Sequence, residues 1–381
     1  MAKFSQREVV IAILAVSICA FVAFGFFFFR GVLENQGTPE EISSECAYAL
    51  DNRDFIPPNP SHIAAQRDYL NLTFFSFDTG DMDDGIALDI AEREGLGTLH
   101  LETPQDPFTI MVSNGSSEVS NLLLKIFYNY KEVAFLIEGA ERAETEFFFE
   151  LDAGYRVDIP IQLPDDLEVR DTTSKLTVGI FRTPEHFTGN LDSLSDDLVF
   201  GRLSHNAITN FDINYGYNDD LILEVDYFEP FGESEFFGLA VHTEPETYGE
   251  GVLVSPGFPV AVRPGEELEL TLFANVRQLN SEEWVGDVLL EPYFIDDFAV
   301  IAMLDWQQIP MSSKPFMLVN IEGTNPNLGQ HIGFTITAPN EPGFYEFSAF
   351  ILPSPTQKNS ERNFFPIETV PRFTIEVVDD D

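Results

Sequence analysis

Short runs rich in β-branched and aromatic residues, cut by Gly, Pro, Asp and Asn, follow one another along most of this chain with almost no helical periodicity. Runs of that length suit strands and are too short for helices, and turn residues recur every 10 to 25 residues or so. The pattern predicts strands at Leu70 to Phe77, Phe108 to Ser113, Leu122 to Tyr128, Ala134 to Glu138, Glu146 to Leu151, Val157 to Leu163 and Leu176 to Phe181. It resumes with Leu221 to Tyr227, Phe236 to Thr243, Leu268 to Val276, Val300 to Trp306, Phe316 to Ile321, Gly333 to Thr337, Phe344 to Ile351 and Arg372 to Val378. Strands joined by turns, with no helices between them, imply an all-β chain of antiparallel sandwiches rather than a βαβ sheet.

The two halves line up. Phe108 to Val112, KIFYNY ending at Tyr130, Glu146 to Leu151, VDIPIQLP ending at Pro164 and KLTVGIFRTP run in the same order as Leu268 to Ala274, IAMLDW ending at Trp306, Phe316 to Val319, FTITAP ending at Pro339 and YEFSAFILP. The spacing is 176 residues from Tyr130 to Trp306 and 175 from Pro164 to Pro339, so two copies of one domain type are the simplest reading.

In the second copy, Glu341-Pro342-Gly343-Phe344-Tyr345-Glu346-Phe347 resembles the D-x-G-x-Y-x-C signature of immunoglobulin-like domains, here of the kind found on prokaryotic cell surfaces. The resemblance implies a tyrosine corner at Tyr345 and a tryptophan, Trp306, filling the middle of the sandwich from the preceding core strand. Phe347 stands where the family has a cysteine, so apolar packing has to replace the inter-sheet disulfide. A likeness of this kind speaks to fold and not to ligand.

Ahead of the β-rich part lies Val9 to Phe29, VVIAILAVSICAFVAFGFFFF, an unbroken apolar run. As a helix it reaches about 31 Å, the thickness of a bilayer core. It is longer than the apolar part of a secretory signal, and it ends in four phenylalanines rather than at a small-residue cleavage site. Lys3 and Arg7 precede it and Arg30 alone follows closely, which puts the short end inside and the long end outside. The expected organisation is therefore a cytoplasmic N-terminus at 1–8, a single-pass helix at 9–29, a Pro-rich stalk at 30–66, a first sandwich at 67–205, a linker at 206–220 and a second sandwich at 221–381. Phe4 to Leu14 also resembles the start of a type IV pilin, with Lys3 in place of the cleavage-site glycine and Gln6 and Arg7 in place of apolar residues.

Sixty-four acidic against 20 basic residues give a net charge of −44, which repels nucleic acid and anionic membrane surfaces. With 44% hydrophobic and 13% aromatic residues, the chain still has material for two cores and is no disordered acidic tail. Of its two cysteines, Cys19 falls in the apolar run, so Cys46 is left alone outside, either buried or pairing two chains. Four carboxylates, Asp78, Asp81, Asp83 and Asp84, crowd one loop, the type of oxygen cluster that takes calcium, although the spacing is not that of an EF-hand. The six histidines are scattered, and neither a nucleophile elbow nor a Gly-rich phosphate loop is present. Aromatic runs such as Phe147-Phe148-Phe149 are expected to fill a core with one side and to meet a neighbouring domain with the other, since adjacent strand residues face opposite ways.

These observations favour a membrane-anchored, extracytoplasmic, non-catalytic binding or structural protein that needs no cofactor and touches the bilayer through Val9 to Phe29. The alternatives are an accessory subunit of a larger membrane complex, a pilin-like filament subunit, and a surface hydrolase working from paired carboxylates.

Overall fold

The computed structural model describes residues 53–55, 75–78, 98–101, 103, 106–114, 119–152, 155–165, 167, 173–182, 207–214, 226–234, 239–242, 259–274, 284–285, 288–289, 295–325, 328–353, 355–356 and 368–379. The apolar run Val9 to Phe29 lies outside them, and among the described residues no helix is long and apolar enough to cross a membrane. Residues Ala47–Asp381 form one compact unit.

Among the described residues the chain is all-β. The first half carries β1 (Arg53–Phe55), β2 (Phe75–Asp78), β3 (Thr98–His100), β4 (Phe108–Ser113), β5 (Ser120–Tyr128), β6 (Lys131–Glu132), β7 (Leu136–Ile137), β8 (Phe147–Leu151), β9 (Tyr155–Gln162), β10 (Ser174–Arg182) and β11 (Ala207–Asn214). The second half carries β12 (Tyr227–Phe228), β13 (Gly232–Ser234), β14 (Leu239–His242), β15 (Val260–Val262), β16 (Glu267–Ala274), β17 (Trp284–Val285), β18 (Val288–Leu289), β19 (Asp297–Leu304), β20 (Gln307–Ile309), β21 (Met317–Asn320), β22 (Gly329–Thr337), β23 (Gly343–Pro353) and β24 (Glu368–Val377).

Four larger sheets result. The first runs β1-β9-β4-β2 with β7 on β9, and the second runs β3-β11-β10-β5 with β6 and β8 sharing the far edge of β5. The fourth runs β13-β22-β16-β14, while the third runs β15-β24-β23-β19 with β20 and β21 sharing the far edge of β19 and β12 beyond β21. The same order is thus laid down twice, strand for strand. Even the parallel pairs recur, β3 with β11 and β15 with β24, in sheets that are otherwise antiparallel apart from β12 with β21. Among the described residues the hairpin β17–β18 and the short β7 and β12 have no counterpart.

Strand alternation explains how the layers stack. On β5, Leu122, Leu124, Ile126 and Tyr128 join Phe108, Ile110 and Val112 of β4 and Val157, Ile159 and Ile161 of β9 in a core between the first and second sheets. On β19, Phe298, Val300, Ala302 and Leu304 join Leu270 and Leu272 of β16 and Ile332, Phe334 and Ile336 of β22 in a core between the third and fourth. The intervening residues are buried too. Leu123 and Phe127 of β5 and Phe181 of β10 meet Ala299, Ile301 and Met303 of β19 and Phe350 and Leu352 of β23 in a third cluster, between the second and third sheets. Both central sheets are therefore covered on both faces, which is why SNLLLKIFY and DFAVIAML read as nearly continuous apolar runs. The Phe147-Phe148-Phe149 run splits as alternation requires: Phe147 and Phe149 stack at 5.5 Å in the first core, and Phe148 packs against the third cluster.

Two expectations need correction. Part of the segment expected to link two domains, 206–220, is strand β11, paired antiparallel with β10 from Ala207 to Ile213. Its Asn210 and Asp212 read as turn residues in sequence, yet on the strand they meet Thr177 and Lys175, so polar partners across the ladder allow the polar residues to lie inside. Part of the expected stalk is strand as well: Arg53–Phe55 pairs with Tyr155 to Val157 at the edge of the first sheet.

Candidate functional site

Chemistry-bearing side chains concentrate in the layer between the second and third sheets, and its anchors are two tight turns. Asn129 and Tyr130, between β5 and β6, have φ of 47° and 66°; Asp305 and Trp306, between β19 and β20, have φ of 46° and 65°. Paired positive φ marks the type I′ hairpin, which suits Asn or Asp at its first position and Gly at its second. Here the second position is a large aromatic both times. Placing such a residue in left-handed backbone costs on the order of 1–3 kcal/mol, and ring burial offsets it, for Tyr130 is fully buried and Trp306 is 7% exposed. Both rings enter the third cluster, Tyr130 at 5.2 Å from Phe316 and Trp306 at 5.3 Å from Phe181. Trp306 accordingly sits in a turn facing the other half of the molecule, not on a core strand in the middle of one sheet pair.

The turns are fixed by matching hydrogen bonds. The Asn129 amide donates to the Lys175 carbonyl at 2.7 Å, and the Lys175 amide donates back to Asn129 Oδ1 at 2.8 Å. Likewise the Asp305 amide donates to the Glu346 carbonyl at 2.9 Å, and the Glu346 amide donates to Asp305 Oδ1 at 2.7 Å. Lys175 and Glu346 are therefore counterparts, and each carries a buried charge paired to the next strand. Lys175 Nζ pairs with Asp212 of β11, both side chains being fully buried. Glu346 pairs with Arg372 of β24 at 3.2 Å and also accepts from Thr374 Oγ1 at 2.9 Å. The sign is reversed between the halves while the position is kept. Arg372 further lies over the Trp306 ring, its guanidinium carbon 4.7 Å from the centroid, a cation–π contact in a desolvated place.

A third charged group closes the rim. Lys125 Nζ, fully buried, donates to the Trp306 carbonyl, pairs with Glu132 and stands 3.7 Å from Glu146. Burial pushes the Glu146 carboxyl above the usual range, Lys125 opposes that, and the carboxylates of Glu132 and Glu144 add to it. Burial also raises Asp305, against the hydrogen bond it receives from the Glu346 amide. All these groups are tied to one another across strands. Their arrangement fixes the positions of the strands that carry them.

Tyr345, whose hydroxyl donates to the Glu341 carbonyl at 2.8 Å, packs its ring against the core between the third and fourth sheets. Partial burial, with help from Glu341 and Asp305, raises its pKa and keeps the phenol a donor. Of the acidic loop, Asp78 ends β2 opposite Thr109, and Asp81, Asp83 and Asp84 lie outside the described residues. Among the described residues no three His, Cys, Asp or Glu side chains gather as metal ligands would. Cys46 also lies outside them. Sequence reasoning missed Lys125, Lys175, Glu346 and Arg372, for which the one available signal is a charge interrupting an otherwise apolar run.

The asymmetry between Asn129 and Asp305 yields a prediction. A carboxyl whose pKa is higher folded than unfolded adds most stability when protonated, and that stability is lost as pH rises through the carboxylate range to neutrality. Asp305→Asn keeps the acceptor for the Glu346 amide, as Asn129 does for Lys175, and removes the buried charge. The variant is expected to be more stable at pH 7 by about 1 kcal/mol, the size of a typical stabilising change, with the difference shrinking toward pH 4. Urea unfolding at both pH values checks this, and a variant weaker at pH 7 contradicts it.

No protein-family model and no curated protein matches the chain. Solved structures align at low similarity: the C-terminal domain of the Streptococcus agalactiae AgI/II polypeptide BspA at 8% identity and TM-score 0.21, covering 74% of this chain and 95% of that one. The C-terminal domain of the Streptococcus pyogenes antigen I/II-family protein AspA gives 8% identity and TM-score 0.19, covering 81% and 100%. The YadV chaperone gives 8% and 0.20, covering 74% and 96%.

Proposed function

We propose that this chain is a non-catalytic structural or binding module held on the outside of a cell: two tandem immunoglobulin-like sandwiches, one from the first and second sheets and one from the third and fourth, behind a single membrane helix at Val9 to Phe29. One observation carries the reading. The two central sheets are buried on both faces and cross-linked by hydrogen bonds, so the pair of sandwiches forms a stiff body suited to holding a surface at a fixed distance. The apolar run and its flanking bases support the anchor and its orientation.

The test uses intact producing cells and a chain tagged at its C-terminus. External protease is expected to remove the tag, while in untreated cells the chain stays in the membrane pellet after an alkaline wash; a protected tag or a released chain refutes the reading. The exposed rings of Phe231 and Tyr227, 53% and 45% accessible, favour the accessory-subunit alternative. Extraction in mild detergent separates the two, because only an accessory subunit elutes in a large assembly with other proteins.

A further inference from the structure

We infer that the contact between the second and third sheets is an isologous, self-sufficient interface folded into one chain: the same face used twice about an approximate twofold axis, holding the halves together without the peptide that joins them. An isologous contact has a strict signature: where residue i of one partner meets residue j of the other, j of the first meets i of the second, and at the axis a residue meets its own counterpart. Glu132 and Gln308 are counterparts, each the second residue after an aromatic turn residue, on β6 and β20. The Glu132 amide donates to Gln308 Oε1 at 2.6 Å, and the Gln308 amide donates to Glu132 Oε2 at 3.2 Å. The carbonyl of each aromatic turn residue is also taken by the opposite half, Tyr130 O by Gln308 Nε2 at 2.8 Å and Trp306 O by Lys125 Nζ.

Around this polar exchange the apolar contact is continuous. Phe350 stands 5.5 Å from Phe127 and 6.0 Å from Phe181, and Tyr130 reaches across to donate its hydroxyl to the Pro355 carbonyl at 3.2 Å. A buried aromatic centre ringed by hydrogen bonds to backbone is the make-up of a protein–protein interface that holds by itself. The partner that fits each face is thus the other half of this chain. The inference goes beyond the proposed function and stands whether or not the chain is anchored.

The test inserts a specific protease site between Asn214 and Asp226 of the full chain and cuts the folded protein. The two pieces are expected to co-elute at the size of the intact chain and to part only in denaturant. Pieces that elute apart, or that lose their β signal on cutting, overturn the inference. Phe127→Asp, which drives a charge into the aromatic centre, is expected to release the pieces after cutting; continued co-elution would place the contact elsewhere and overturn it. Should that variant fail to fold, Glu132→Ala and Gln308→Ala at the rim take its place. Each is expected to weaken the cut pair about 5-fold or more through loss of one arm of the reciprocal exchange, Glu132→Ala by the larger factor because it also leaves the buried Lys125 without its close carboxylate. No effect from either overturns the twofold reading.

Discussion

Replacing Lys175 by Met is expected to destabilise the protein by about 3–5 kcal/mol, the cost of leaving one member of a buried ion pair without its partner. Lys175 and Asp212 have no side-chain exposure, so water cannot take over when the ammonium is lost. The carboxylate left behind then lies in an apolar layer without its countercharge. Methionine fills much of the lysine stem's volume, which separates loss of charge from loss of packing. The double variant Lys175→Met with Asp212→Leu removes both charges and is expected to return to within about 1 kcal/mol of the parent or to exceed it. Urea unfolding of the parent, both single variants and the double variant closes the cycle. If Lys175→Met alone costs under about 1 kcal/mol, the pair is not buried as described.

The same pair shows why the sequence reveals the strands better than the layers. Phe108–Ser113 was legible to the residue, because Phe, Ile and Val alternate over six positions between turn signals. The repeat was legible for a related reason: turn residues and core residues recur at a fixed spacing even where identities differ. Strand β11 was not, since Asn210 and Asp212 face inward and only Thr177 and Lys175, more than thirty residues earlier, make that acceptable. The place of Trp306 was hidden likewise, because nothing local announces an aromatic residue in left-handed backbone, and only the cluster it enters makes that conformation tolerable. The Tyr345 hydroxyl bond to Glu341 could be anticipated from its motif, as a contact four residues upstream is local chemistry. Contacts between β5 and β19 join residues far apart in sequence, and an apolar run buried on two faces does not say what covers the second face.

Truncating Phe350 to Ala is the sharpest probe of that second face. Its ring is fully buried and touches Phe127 and Phe181 of the other half, so its removal takes away apolar burial on both sides and leaves a cavity that the stiff central sheets cannot close. The expected loss is about 3–5 kcal/mol. Phe344 lies on the same strand and on the same face, six residues away, but is 38% exposed; Phe344→Ala is expected to change stability by no more than about 0.5 kcal/mol. The two variants delete the same side chain from the same strand, so the difference between them measures the covering sheet alone. Because Phe350 belongs to the third sheet and its ring partners to the second, the loss should appear equally whether unfolding is followed by a probe placed in the second half or by one placed in the first. A Phe350→Ala penalty close to that of Phe344→Ala would mean the second sheet does not cover this face in solution. A large penalty confined to the second half would mean that the halves unfold independently, whatever contacts they make when folded.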